Sequence, residues 1–250
     1  MPTVTAAPAP VKAGSSFDHA LGVASHGTYY HDAMFVGHLG VGLAAKRLAP
    51  RVSLGALFLA AMGLDALLWI FVLLGLEAMH VPANFNEAHY LTFTFPYSHG
   101  LVASLAWSVA ALAVARASGW NAAAGLVVAG TVFSPFLLDA LVHVAGLPLL
   151  GAGSYGLGLG LWRHPALELP LEVTIGVVGW GLYIQTPGTS RGGARWGLGG
   201  IVVLCALMTI MGALATEPPP RPAIMATVSL STIAVVSLLA WRLDRRGSSA

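Results

Sequence analysis

Phe133-Ser134-Pro135-Phe136-Leu137-Leu138-Asp139-Ala140-Leu141-Val142-His143-Val144 decides how this chain is read. It is an apolar run suited to crossing a membrane, yet it carries an acid and a histidine four residues apart. On a helix, residues i and i+4 share a face, so Asp139 and His143 are expected to point at one spot. A carboxylate in hydrocarbon is costly, and an intramembrane Asp is a functional-site hypothesis by default.

Composition agrees with a membrane setting. The chain has 250 residues, 56% hydrophobic and 9% charged, with a mean hydropathy of +0.77. Soluble domains carry roughly 25% charged residues. The expected fold class is all-α, a polytopic integral membrane helical bundle. A net charge of +2 gives no reason to expect nucleic acid. The single cysteine, Cys205, excludes an intrachain disulfide framework and a cysteine-based zinc site. Thirty glycines suit close helix packing in lipid.

A hydrocarbon core of about 30 Å needs roughly 20 apolar residues per helix. Residues 1–33 lack such a run and read as an N-terminal disordered or interfacial segment. Residues 34–250 form the transmembrane domain, with seven spans expected near 33–48, 52–76, 98–117, 121–147, 167–186, 195–215 and 222–243. The loop holding His80, Glu87 and His89 reads as solvated, and Gly151–Gly160 as a flexible connection. Lys and Arg bias sets orientation. Lys46, Arg47, Arg51, Arg116, Arg191, Arg195, Arg242, Arg245 and Arg246 fall on one side, against Lys12, Arg163 and Arg221 on the other. The N-terminus is therefore expected outside and the C-terminus in the cytoplasm.

With that topology His38, Asp65, His99, Asp139, His143 and Glu172 all fall in the outer half of the bilayer. Each has a plainer reading alone: a helix-end histidine, a hydrogen-bonded Asp, a structural ion pair, a Glu favouring a helix start. Their shared depth points instead to a divalent metal, which binds imidazole and carboxylate, offsets the burial of acid and activates water. The metal candidates are His38, Asp65, His99, Asp139 and His143. Asp65 and Glu172 are the candidates for catalytic work. Zinc is expected ahead of manganese or iron. A carboxylate orienting a ligand imidazole is also expected, from among Asp65, Asp139 and Glu172.

Met34-Phe35-Val36-Gly37-His38-Leu39-Gly40-Val41-Gly42, a second helix with a central Asp65, Tyr97-Ser98-His99-Gly100 and Leu138-Asp139-Ala140-Leu141-Val142-His143 together resemble a known pattern. It is that of the membrane-bound, metal-dependent hydrolases of bacterial inner membranes, matched over roughly residues 34–145. The resemblance implies metal-dependent hydrolysis in that membrane. The family pattern has a second acid after the second-helix Asp, and Thr-His-Ser where this chain has Ser98-His99-Gly100. Site depth favours a lipid or lipid-linked ester or phosphoester at the outer leaflet. Membrane lipids and other membrane proteins are the expected partners. The rival expectations are an ion- or proton-coupled transporter and a non-catalytic membrane subunit or assembly factor.

Overall fold

The computed structural model describes residues 34–188, 192–219 and 221–248, with side chains placed up to Asp244. The N-terminal reading of 1–33 lies outside these residues. In chain order the elements are α1 (Phe35–Leu48), α2 (Leu54–Ala61), α3 (Gly63–Leu73), β1 (Ala78–His80), α4 (Phe85–Ala88), β2 (Thr92–Thr94), α5 (Leu101–Ala117) and α6 (Ala122–Val142). There follow β3 (Leu147–Pro148), β4 (Gly156–Leu157), a 3-10 turn at Leu161–Arg163, α7 (Pro165–Ile184), α8 (Gly193–Ala213) and α9 (Pro222–Ser248).

The fold is a helical bundle with two small hairpins. Among the described residues, α6, α7, α8 and the Pro222–Asp244 part of α9 have the length and apolarity of membrane spans. The pair α2 and α3 adds a fifth if it counts as one bent span. The expected count of seven therefore reduces to four or five on these criteria. With 17 residues, α5 is short. With 14, α1 rises only about 21 Å.

Length matters less for α1 because protein surrounds it. Val36, Gly37, His38, Leu39, Gly40, Gly42, Leu43, Ala45 and Lys46 are buried, which covers every side of the helix. Glycines admit its neighbours. A Cβ on Gly40 would strike the backbone of Ile175 and Gly176, and one on Gly179 would strike Gly40. Thus α1 and α7 meet backbone to backbone, the small-residue packing expected where lipid gives no hydrophobic drive between helices. Val36, Leu39 and Leu43 join Leu54, Phe58, Val202, Cys205, Ile233 and Val236 in the largest core.

Three local readings change. The span expected over 52–76 breaks at Met62, where α2 and α3 bend by 57°. Met62 leaves helical dihedrals (φ −105°, ψ 13°), and α3 begins on Gly63, a poor helix former. The loop of His80, Glu87 and His89 leaves His80 and Glu87 exposed, as expected, but it is ordered: β1 and β2 pair antiparallel, His80 bonds Thr94, and His89 bonds the Ala215 carbonyl. The Gly-rich connection likewise contributes β4, paired with β3.

At the opposite end of α1 from His38, Lys46 Nζ lies 2.7 Å from Asp244 Oδ2 and donates to the Val52 carbonyl. That carboxylate also accepts the Leu54 N–H at the start of α2 and the Tyr183 hydroxyl. One buried ion pair therefore ties α1, α2, α7 and α9.

Candidate metal centre

Four helices bring two imidazoles and two carboxylates to one end of the bundle. His38 lies in the first turn of α1, and Asp65 in the first turn of α3. His99 stands just before α5, whose N-cap is Gly100. Asp139 is near the C-terminal end of α6. The break at Met62 gives Asp65 a helix N-terminus, where the dipole favours negative charge. In α6, Pro135 removes the N–H that would bond the Thr131 carbonyl, and the Ser134 hydroxyl donates to that carbonyl instead at 2.8 Å.

The four side chains alternate around a centre. His38 Nε2 lies 3.4 Å from Asp139 Oδ1 and 3.7 Å from Asp65 Oδ2. His99 Nε2 lies 3.5 Å from Asp139 Oδ2 and 3.6 Å from Asp65 Oδ1. All four residues are at most 3% exposed. Among the described residues, His38 Nδ1 and Nε2, Asp65 Oδ2 and Asp139 Oδ1 have no hydrogen-bond partner. Buried polar atoms without partners are costly, so they call for an explanation.

Those distances are informative. Charge-assisted N–H···O bonds close to roughly 2.7–2.9 Å, and none of these four does. Ligands about 2.0–2.1 Å from a tetrahedral metal lie roughly 3.3 Å from one another. The observed edges are at or slightly above that value. Among the described residues, no group of three or more His, Cys, Asp or Glu is arranged so that it could hold a metal ion as it stands. The donor set nevertheless fits a divalent cation chemically, since two carboxylate charges and two neutral imidazoles make a neutral assembly around it.

His99 is braced from behind. Its Nδ1 lies 2.9 Å from the Ser98 hydroxyl, which donates to Glu77 Oε2 at 2.7 Å. Glu77 Oε1 accepts the N–H groups of Tyr97 and Ser98, both at 2.8 Å. Burial raises the Glu77 carboxyl above its ordinary pKa, against the pull of its Ser98 and Tyr97 hydrogen bonds and of nearby His99. Glu77 is absent from the sequence-derived candidates. The only signal was an acid placed directly after the apolar run of the second span.

His143 and Glu172 adjoin this set but make other contacts. The helix α6 ends at Val142, and His143 is its C-cap with ψ 143°; its N–H still donates to the Asp139 carbonyl one turn back at 2.8 Å. The His143 imidazole packs on Trp162 with centroids 3.9 Å apart and stands 5.6 Å from Phe95. Glu172 Oε1 accepts the Val36 N–H at 2.7 Å and the Gly37 N–H at 3.3 Å. It therefore caps α1 from α7, and Met34, at the N-cap of α1, supplies no side-chain bond. A Cβ on Gly37 would stand 3.3 Å from Glu172 Cγ, so glycine leaves room for this cap.

In comparisons with protein families, curated proteins and solved structures, nothing matches this chain.

Proposed function

We propose that the protein is a multi-pass membrane hydrolase holding one divalent metal ion between His38, Asp65, His99 and Asp139. The observation that carries this reading is the buried square of two imidazoles and two carboxylates, with N···O edges of 3.4–3.7 Å, all longer than a charge-assisted hydrogen bond. Zinc suits the donor set and the edge length, with manganese and iron behind it. When bound, the metal would supply Lewis acidity toward an ester or phosphoester oxygen. The chain's own groups fix the ligands: the Met62 break aims Asp65, and Ser98 and Glu77 brace His99. Glu172 serves by capping α1 and so holding His38 in place, a positioning rather than a catalytic role.

Two further elements of the reading concern setting. All seven apolar helical segments belong to the membrane domain, with α1 enclosed by the others. The excess of Lys and Arg after spans one, three and five puts the C-terminus in the cytoplasm and the metal centre at the outer leaflet of a bacterial inner membrane. That depth favours a lipid or lipid-linked substrate.

One observation favours a second reading. Four protein ligands complete a tetrahedral shell, as structural zinc sites do, whereas catalytic sites keep a position open. A non-catalytic, metal-stabilised membrane subunit has that property.

Metal content of detergent-purified protein tests both readings, with wild type beside Asp139→Ala and His99→Ala. About one metal per chain, lost in both variants, is expected. Absence of metal from wild type after reconstitution overturns both readings. Turnover of lipid esters or phosphoesters by metal-loaded wild type then separates hydrolase from structural subunit.

A further inference from the structure

The stretch from Val144 to Trp162 carries no charged side chain, and only Ser154, Tyr155 and Trp162 offer a polar side-chain group. Connections in water are ordinarily polar. Here the most open residues are apolar or aromatic: Leu150 is 80% exposed, Leu159 78% and Tyr155 76%. Much of the backbone at this end of the β3–β4 hairpin is bonded within it. The Leu149 N–H donates to the Tyr155 carbonyl, and the Ser154 N–H to the Gly151 carbonyl. The Ser154 hydroxyl accepts the Leu150 N–H and donates to the Gly151 carbonyl. A segment that meets its own hydrogen bonds and turns leucine outward suits surroundings poorer in water than bulk solvent. Charge returns only at Arg163, which is exposed.

The hairpin is tied to two of the segments that build the candidate metal centre. The Leu149 carbonyl accepts the Val102 N–H in the first turn of α5, just beyond His99. The Leu159 and Gly160 N–H groups donate to the Ala140 and His143 carbonyls, just beyond Asp139. A Cβ on Gly158 would strike the His143 carbonyl, so only glycine allows this approach. From the Leu149–Val102 bond the apolar surface runs on to α5, where Val102, Leu105 and Val109 are exposed.

We propose that the β3–β4 hairpin is a membrane-contact element whose Leu150 and Leu159 side chains sit among phospholipids, at the boundary of headgroup and acyl chain. Tyr155 stands at headgroup level, where an amphipathic ring belongs and water-borne reagents still reach it. Arg163 follows at the height of the lipid phosphates. Irregular backbone facing lipid is excluded from the hydrocarbon interior, so the boundary is as deep as the hairpin goes. Because the hairpin grips the segments carrying His99 and Asp139, its depth fixes theirs. The proposal rests on the multi-pass membrane reading, and neither on the metal nor on hydrolysis.

Fluorescence quenching on the full chain in phospholipid nanodiscs tests it. Leu150→Cys and Leu159→Cys, each in a Cys205→Ser background, carry an environment-sensitive label. Both positions are open, so the label displaces nothing from the core. Val109→Cys on α5 is the lipid reference, and Glu87→Cys on the exposed insertion is the water reference. Expected at 150 and 159 are emission blue-shifted from that at 87, loss of signal to lipids bearing a nitroxide high on the acyl chain, and little loss to aqueous iodide. Iodide quenching equal to that at 87 overturns the proposal. Protection from both quenchers also overturns it, because a protein surface, such as a second copy of this chain, then covers the hairpin. Leu150→Asp should lift the hairpin and open the label at 159 to iodide; an unmoved label would mean that residue 150 already stood in water. Val109 keeps two failures apart. Lipid quenching there with iodide quenching at the hairpin sinks this proposal alone, whereas iodide quenching at Val109 too sinks the membrane reading of α5 with it.

Discussion

His38 and His99 each offer a ring nitrogen to the same two carboxylates, and the whole set is buried. A metal and a proton compete for such nitrogens, so binding weakens as pH falls. A ligand at a hundred times its Kd stabilises the folded state by about 2.7 kcal/mol. Zinc-loaded wild type is therefore expected to melt well above the stripped protein near neutral pH. The difference should shrink steadily as pH falls and protons take the imidazole nitrogens. Asp65→Asn, which keeps shape but removes one negative charge, should show no zinc-dependent gain at any pH. Thermal unfolding followed by circular dichroism would show this, and an equal gain in Asp65→Asn would remove that carboxylate from the ligand set.

At the scale of elements, α1 is held at both ends by carboxylates from distant helices. Glu172 of α7 takes its first N–H groups, and Asp244 of α9 pairs with Lys46 in its last turn. Lys46 and Asp244 are each 5% exposed, so desolvation is nearly complete. Removing one member of a buried pair leaves an uncompensated charge and typically costs about 3–5 kcal/mol. Lys46→Met should lose stability on that scale in detergent melts. Lys46→Met with Asp244→Leu should recover part of it, and only part, because the Leu54 N–H and the Tyr183 hydroxyl lose their acceptor. A single variant as stable as wild type would mean that water reaches this pair. Counted by sequence, Lys46 belongs to the topogenic charges; in the fold it is a buried anchor as well.

The whole molecule presents an apolar exterior. Val102, Leu105 and Val109 on α5, Leu126 and Leu137 on α6, Val177 and Val178 on α7, Val203 and Leu207 on α8, and Val235 and Leu238 on α9 are exposed. Patches of this extent on a monomer mark a surface meant for lipid or another protein. The proposed topology places residues 48 and 155 on opposite sides of the membrane. Both are open, Leu48 at 72% and Tyr155 at 76% exposure. In a Cys205→Ser background, Tyr155→Cys should react with an impermeant maleimide on intact cells and Leu48→Cys only after lysis. Labelling of both from outside would discard the topology.

Much of this protein is readable from its chain because lipid imposes strong local rules. Apolar runs near α6, α7, α8 and α9 had to become helices, since unbonded backbone is too costly in hydrocarbon. The acids and histidines inside such runs marked themselves as costly, and four of them, His38, Asp65, His99 and Asp139, are the ones the fold assembles. Tertiary structure alone decided the rest. Helix periodicity put His143 one turn from Asp139, where its N–H does bond the Asp139 carbonyl, but only the fold packs its imidazole on Trp162. Glu172 reads as an acid at its own helix start, yet its oxygen caps α1, which is 135 residues away along the chain. Glu77 and Ser98 carry no motif of their own, and they brace His99 only because the segment after α3 folds back on the segment before α5. Periodicity reports neighbours within one helix, whereas hydrogen-bond partners of buried groups are chosen by which helix ends the bundle brings together.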